Sequence, residues 1–149
     1  MTPSQIKQQQ ENLVRLSLQY TQQDLDAVMK QHPEITCNGI ETRKSHNYES
    51  NRDYLKNSLK AFQYCCAFLS LCTKSNRTNW NYANNDHLKH LVEIFTHTPI
   101  PSGAIVAAAE VIGIKYKPDS DTCYVSLYIN RNLPITEEME YVARGGTII

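Results

Sequence analysis

The chain has 149 residues, with 15 basic and 15 acidic side chains and a formal net charge of zero. This balance argues against a protein that coats a polyanion and against an acidic mimic of nucleic acid. Five Gly and six Pro exclude collagen-like and linker-like classes. In chain order we expect one domain with an N-terminal helical pair over 1–33, a loop over 34–50, a core over 51–130, and a C-terminal helix and tail over 131–149.

The N-terminal part predicts two helices with recognisable ends. Thr2, followed by a proline, suits the start of the first helix. Thr21 and Asp24 resemble a capping box at the start of the second. His32-Pro33 ends that helix, because the residue before a proline avoids helical backbone. Residues 34–50 show no clear period and are interpreted as a long loop, with one short strand as an option.

The strongest periodicity runs over Arg52–Lys74 and predicts a central helix. Five apolar side chains recur there at helical spacing: Leu55, Leu59, Phe62, Cys66 and Leu69. A helix that is apolar nearly all round is buried, so we expect this one to form the middle of the core.

The second half predicts further short elements around that helix. They are a loop at Ser75–Asn85, a helix at Asp86–Thr96, a Ser102-capped helix at Gly103–Ile112 that ends at Gly113, a hairpin of Ile114–Lys117 with Thr122–Ile129, and a helix over 136–142. The predicted fold class is therefore α+β and predominantly α. It comprises five or six helices around a central apolar helix, with one antiparallel β-hairpin near the C-terminus.

Several features favour a protein without catalytic chemistry. The chain contains no GxxxxGK[ST], GxGxxG, HExxH or GxSxG motif, so we expect no cofactor and favour a non-enzymatic protein, with an enzyme left open. The five cysteines form no CxxC pair, and the N-terminal segment lacks the apolar core of a signal peptide. We therefore expect reduced, packed thiols, a cytoplasmic location and no membrane contact.

A partner surface is predicted in the middle third, where six basic side chains face three acidic ones. The loop there holds the only Trp of the chain among Asn residues, and Trp, Tyr and Arg most often anchor protein interfaces. The predicted partner-binding residues are Lys74, Arg77, Trp80, Tyr82 and Lys89. A protein partner is expected, and a nucleic-acid-binding module that uses this Lys74–Lys89 patch is the alternative. The competing structural interpretation is that both aromatic rings fold back onto the core.

A metal site is the second alternative. Asp86, His90, Glu93 and His97 share one face of a predicted helix and are metal-ligand types. That face lies opposite the apolar residues of the helix, so solvent exposure is the simpler interpretation and no metal is expected. A metal-dependent hydrolase that uses His90, Glu93 and His97 remains a hypothesis.

The segment from Asp86 to Ile129 has the outline of a winged helix-turn-helix. Its second helix reads GAIVAAAEVI, in which Glu110 is the only charged side chain. A helix that reads DNA needs donors for base edges and phosphates, so we interpret this one as a packing element.

One pattern in the second half resembles small proteins of no established activity that bacterial plasmids and prophages carry. It consists of His87-Leu88-Lys89-His90, the run from Ser102 to Ala109, and Gly113. The residues that match this pattern are Leu88, Lys89, His90, Gly103, Ala104 and Gly113. The chain differs from it at two places: Asp86-His87 stands where a Ser-Tyr pair is expected, and Val106 replaces a bulkier apolar residue. The resemblance implies an accessory protein of a mobile genetic element. Because such elements carry anti-defence proteins, inhibition of a host defence system, as by an anti-CRISPR protein, is expected by analogy.

Overall fold

The computed structural model describes residues 2–41 and 46–135. These residues form seven helices and two short antiparallel hairpins, in the order α1 (Pro3–Ser17), α2 (Gln22–Gln31), β1 (Ile35–Thr36), β2 (Gly39–Ile40), α3 (Tyr48–Lys56), α4 (Leu59–Ser70), α5 (Trp80–Ala83), α6 (Asn85–Thr96), α7 (Ser102–Ile112), β3 (Tyr116–Pro118) and β4 (Val125–Leu127). The predicted class, α+β and predominantly α with a hairpin near the C-terminus, is confirmed. The helix predicted over 136–142 lies outside the described residues.

Two capping boxes start the first two helices, as the sequence predicts. The Thr2 hydroxyl accepts from the Gln5 amide at 3.2 Å, while Gln5 Oε1 accepts from the Thr2 amide at 2.7 Å. Thr21 and Asp24 repeat this reciprocal pairing at the start of α2. Each box satisfies amides that the first helical turn leaves without a carbonyl partner.

The predicted single helix over Arg52–Lys74 is wrong, because the chain forms two helices there, α3 and α4. At the break, Asn57 Nδ2 donates to the Asp53 carbonyl at 2.9 Å, and Ser58 Oγ donates to the Tyr54 carbonyl at 2.6 Å. Side chains that bond nearby carbonyls offer the backbone an alternative to a continuous helix. The periodicity continues across this point because both helices bury their apolar faces in the same core.

The centre of the fold is the packing of α4 against α7. In α4 the buried residues are Ala61, Phe62, Tyr64, Cys65, Cys66, Ala67, Phe68 and Leu69, which confirms the predicted central position of this segment. Residues 102–109 of α7 are also buried, so this helix is the packing element that its composition predicts. Among the described helices, none has the length and apolar character needed to cross a bilayer.

The start of α7 lies directly against the β1–β2 hairpin. The Gly103 amide donates to the Cys37 carbonyl at 2.8 Å, and a Cβ added at Gly103 would lie 1.6 Å from the Thr36 carbonyl oxygen. The prediction of a loop over 34–50, with one short strand as an option, is therefore wrong at this hairpin and again at 48–50, where α3 begins. The prediction that Ser102 caps α7 is also wrong: Pro101 is the N-cap, and the Ser102 hydroxyl donates to Asp86 Oδ1 at 3.2 Å.

The C-terminal hairpin is shorter than predicted but has a defined register. Tyr116 pairs with Leu127, and Pro118 pairs with Val125. On the other side of β4, isolated bridges join Lys74 to Ile129 and Asn84 to Ser126. The segment between α4 and α6 therefore runs beside β4, which brings Trp80 to the hairpin.

Candidate functional site

Asparagine side chains fix the backbone around Trp80. Asn79 caps α5, because its Oδ1 accepts from the Asn81 amide at 3.0 Å. Asn84 Nδ2 donates to the Trp80 carbonyl at 2.7 Å, and Asn84 Oδ1 accepts from the His87 amide at 2.7 Å to cap α6. The segment predicted as a loop thus contains a short helix that presents Trp80 in a defined position.

Trp80 lines a surface groove of about 640 Å³ between α5 and the β3–β4 hairpin. The other lining residues, which we call with Trp80 the Trp80 groove, are Thr78, Lys117, Pro118, Asp119, Ser120 and Ser126. The Trp80 residue remains 42% exposed. Its indole N–H donates to no other residue within the part of the chain that the structure describes. The groove therefore offers an apolar ring, an available donor and hydroxyl groups to a ligand or partner.

Tyr82 is held inside the molecule, unlike Trp80. Its ring is half-buried against the core, and its hydroxyl donates to the Ile129 carbonyl at 3.1 Å. The Arg131 guanidinium lies 5.9 Å from the centre of the ring, within the range of a cation–π contact. Of the two predicted aromatic anchors, Tyr82 folds back onto the core and Trp80 does not.

The three predicted cations differ in their surroundings. Lys74 Nζ lies 3.7 Å from where a Gly113 Cβ would stand, at the carboxyl end of α7, where the helix dipole favours a cation. Lys89 Nζ lies 3.5 Å from Glu93 Oε1, and the Lys89 side chain is only 19% exposed. Arg77 is exposed, and its guanidinium bonds no other residue within residues 2–41 and 46–135. Lys74, Arg77 and Trp80 are thus the predicted residues that are exposed, whereas Lys89 and Tyr82 are partly buried and already in contact with other residues.

Three of the four predicted metal-ligand types, Asp86, His90 and Glu93, lie on α6, where they contact one another, and Glu93 also bonds the backbone. His90 Nδ1 lies 3.2 Å from Glu93 Oε1, and His90 Nε2 lies 3.9 Å from Asp86 Oδ2. Glu93 Oε2 accepts from the Ile100 amide at 3.0 Å, whereas His97 ends the helix in a left-handed conformation with φ 53°. Among residues 2–41 and 46–135, no group of three or more His, Cys, Asp or Glu is placed to hold a metal ion. A metal-dependent hydrolase therefore remains a hypothesis that is supported only by the residue types in the sequence.

All five cysteines are free thiols. Cys65 and Cys66 are buried in α4, and burial raises the pKa of both thiols above its ordinary value. Burial also raises the pKa of Cys72 to about 12. A nucleophilic cysteine needs the opposite shift, because the thiolate is the reactive form. These thiols therefore act as packed apolar groups.

A second polar pocket, of about 410 Å³, lies between the β1–β2 hairpin and the turn before β4, and the sequence patterns did not indicate it. Buried Glu41 lines it, and its Oε1 accepts from Thr36 Oγ1 at 2.7 Å, Asn38 Nδ2 at 2.7 Å and Asn51 Nδ2 at 3.0 Å. The carboxylate thereby ties the hairpin to α3. The sequence signal was an acidic residue two positions after Gly39 of the Asn38-Gly39 turn.

No family model matches the chain, and no curated protein or solved structure compared with it matches either. The resemblance to plasmid and prophage proteins therefore stays an expectation from the sequence. The Trp80 groove is the structural feature from which a function can be argued.

Proposed function

We propose that the protein is a non-enzymatic, protein-binding accessory protein of a mobile genetic element, which acts in the cytoplasm and inhibits a host defence system such as CRISPR. The binding part is carried by one observation: the only Trp of the chain is 42% exposed in a groove whose walls are a short helix and a hairpin. The mobile-element part rests on the resemblance of the segment from about Asn51 to Lys117, in which the matching residues lie between Leu88 and Gly113.

The composition of the groove supports a protein partner over nucleic acid. Its charged residues are one cation, Lys117, and one anion, Asp119, and the rest are hydroxyls, a proline and the indole. Lys74 and Arg77 supply two more exposed cations nearby in sequence, whereas Lys89 is paired with Glu93. So few available cations would neutralise few phosphates, which limits affinity for nucleic acid at physiological salt. A neutral groove with an aromatic anchor suits a protein surface.

Inhibition would then result from occupancy. When this protein is bound to a defence protein, it covers a surface that the defence protein needs for its activity. Burying the exposed part of an indole in a fitted pocket is the kind of contact that contributes about 2 kcal/mol or more at interfaces. The Trp80 backbone is held by Asn79 and Asn84, so little ordering is required on binding.

The first test is capture of partners from bacterial cells by tagged wild type and by two variants, Trp80→Ala and Tyr54→Ala. Tyr54 is the matched control, because it is an exposed aromatic residue on α3. We expect wild type and Tyr54→Ala to enrich the same protein and Trp80→Ala to lose it. Equal enrichment by folded Trp80→Ala would contradict the groove as the binding site.

The second test concerns defence. The wild-type protein is produced in bacteria whose CRISPR system targets a phage, and plaque formation is counted. We expect wild type and Tyr54→Ala to restore plaques and Trp80→Ala to leave interference intact. If the wild-type protein restores no plaques against any CRISPR system of its bacterial hosts, the anti-CRISPR part of the proposal is wrong. Partner capture tests the binding part separately.

Two measurements decide between this proposal and its alternatives. A nucleic-acid-binding module would show affinity that falls steeply with salt, with a slope near −3 for about three phosphate contacts. A metal-dependent hydrolase would show stoichiometric zinc, manganese or iron by elemental analysis, lost on His90→Ala. Either result would replace the protein-binding proposal.

A further inference from the structure

The outer edge of strand β3 has no strand beside it in the described part of the chain. β3 and β4 form a two-stranded sheet, and the other side of β4 is joined by bridges to Lys74 and Asn84. Lys117 and Pro118 on β3 are exposed. β3 is therefore the strand at which this small sheet ends.

Two backbone hydrogen bonds show which residues of β3 face its partner strand. The Tyr128 amide donates to the Lys115 carbonyl at 2.9 Å, and the Asp119 amide donates to the Tyr124 carbonyl at 3.0 Å. In an antiparallel pair, residues whose backbone groups face the partner strand alternate with residues whose groups face away. Lys115, Lys117 and Asp119 therefore face β4 through their backbone groups.

Tyr116 and Pro118 hold the alternate positions, so their backbone groups face the outer edge. Proline has no amide hydrogen, so this edge offers one donor, the Tyr116 N–H, and two acceptors, the Tyr116 and Pro118 carbonyls. None of the three bonds a residue that the structure describes. An extended backbone is the ligand that matches such a row of groups.

The Trp80 groove lies on one face of the same hairpin. The Lys117 side chain lies on the face of Ser126, its cross-strand partner, and both residues line the groove. A strand added at the outer edge would place the side chain opposite Lys117 on this face as well, because side chains alternate between the two faces of a sheet. The groove and the open edge therefore form one continuous surface.

The opposite face of the hairpin is held against the core. The Tyr116 hydroxyl donates to Glu110 Oε2 on α7 at 2.5 Å, and His32 Nε2 lies 3.4 Å from Glu110 Oε1. Val125 and Leu127 of β4 are buried. The edge of β3 is therefore a fixed template, and binding a strand there requires little ordering of this chain.

We propose that an extended segment of the protein partner adds to the outer edge of β3 as a third strand. An acidic side chain of that segment lies beside Lys117, and an apolar side chain on the same face lies against Trp80. This inference rests on the proposed function and specifies how the partner binds. The main-chain bonds supply affinity, and the side chains that meet the groove supply specificity.

The charges at the edge favour an acidic segment. Lys117 is exposed and forms no ion pair with any residue that the structure describes. The Asp119 carboxylate already accepts from the Asp121 amide at 3.2 Å and from the Thr122 hydroxyl at 2.9 Å. The unpaired charge at this edge is therefore positive. A single exposed ion pair contributes little to affinity, so binding keeps its small dependence on salt.

A second copy of this chain suits the edge less well than another protein does. Pairing between two β3 edges would bring the Lys117 side chains of both copies close together, and each Pro118 would supply no donor to its neighbour. Lysine and proline on an edge strand are features that prevent such pairing between copies. They leave the edge open to a segment of opposite charge.

The first test is amide hydrogen exchange, followed by NMR on the labelled wild-type chain, alone and with the captured partner. The Tyr116 amide should exchange at least about tenfold more slowly in the complex, because it gains an acceptor. The Lys117 amide is the internal reference and should slow less, because it already bonds within the hairpin. Unchanged exchange at Tyr116 in the complex would overturn the added strand.

The second test is the dissociation constant of the captured partner for wild type, Pro118→Val, Lys117→Glu and Lys7→Glu. Pro118→Val adds an outward N–H and should bind about two- to tenfold more tightly. Lys117→Glu should bind about threefold more weakly or worse, whereas Lys7→Glu, the same charge change at an exposed residue of α1, should match wild type. Binding by folded Pro118→Val that is no tighter than wild type would contradict the added strand. If that variant does not fold, exchange at Tyr116 decides alone.

Trp80→Ala separates this inference from the proposed function. Loss of the partner by Trp80→Ala, with no protection of the Tyr116 amide in the wild-type complex, would leave the groove as the binding site and overturn the added strand. Protection of Tyr116 with wild-type binding by Trp80→Ala would support the added strand and contradict the groove. Sedimentation of wild type alone should show a monomer. A dimer with a protected Tyr116 amide would make a second copy the occupant and overturn the proposal.

Discussion

Asn85 Oδ1 accepts a hydrogen bond from the Val125 amide at 2.9 Å, which fixes the start of α6 to β4. The same fully buried side chain donates through Nδ2 to the Ser102 carbonyl at 3.0 Å. One amide therefore joins α6, α7 and β4. Ser126, next to Val125, lines the Trp80 groove, so Asn85 positions one wall of the candidate site.

Replacing Asn85 by Leu should lower the free energy of unfolding by at least about 2 kcal/mol. The substitution leaves the Val125 amide buried without its partner, at a cost of about 1–3 kcal/mol, and also removes the side-chain bond to the Ser102 carbonyl, which keeps its partner within α7. Urea unfolding measures the loss. Asn81→Leu is the control: Asn81 is exposed, and its variant should differ from wild type by less than about 0.5 kcal/mol. Equal stability of the two variants would contradict the role of Asn85.

Gly103→Ala should destabilise the protein more than Gly113→Ala does. A Cβ at Gly103 would meet the Thr36 backbone at 1.6 Å, so α7 and β1 must separate, at a cost of about 1–3 kcal/mol or more. A Cβ at Gly113 would meet only Lys74 Nζ, at an ordinary contact distance of 3.7 Å, but the φ there is +82°, so Ala costs about 1–2 kcal/mol through backbone strain. Chemical denaturation ranks the two variants. The reverse order would show that α7 does not approach β1 this closely.

Thiol labelling should follow burial. In the native protein at about pH 8, iodoacetamide should modify partly exposed Cys37 and Cys123 first, and Cys72 more slowly. Cys65 and Cys66 should react only after unfolding, because burial both blocks access and raises their pKa, which removes thiolate. Peptide mass spectrometry at successive times gives the order. Early modification of Cys65 would place α4 at the surface instead of in the core.

Sequence patterns predicted the elements whose signals are local. The capping residues Thr2 and Thr21, the apolar face of α4 and the left-handed Gly113 each depend on neighbours within a few positions. The break at Asn57-Ser58 was missed because side-chain bonds to carbonyls leave the apolar period unchanged. Strands β1 and β2 have two residues each, too few for an alternating pattern to appear.

The candidate site was predicted only in part, because its walls come from distant positions. The sequence indicated Trp80 and Arg77 but could not show that Lys117 and Pro118 complete the groove. It also could not show that Tyr82 bonds the Ile129 backbone, which is 47 positions away. The pairing of His32 with Glu110 is equally invisible before the chain folds.

Binding of the captured partner to wild type, Trp80→Ala and Tyr54→Ala tests the central claim most directly. The dissociation constants are measured by calorimetry at about 50 and about 300 mM salt, with circular dichroism to confirm that each variant is folded. Trp80→Ala should bind at least about thirtyfold more weakly, equivalent to about 2 kcal/mol, with little dependence on salt, and Tyr54→Ala should match wild type. Wild-type affinity in folded Trp80→Ala would contradict the account.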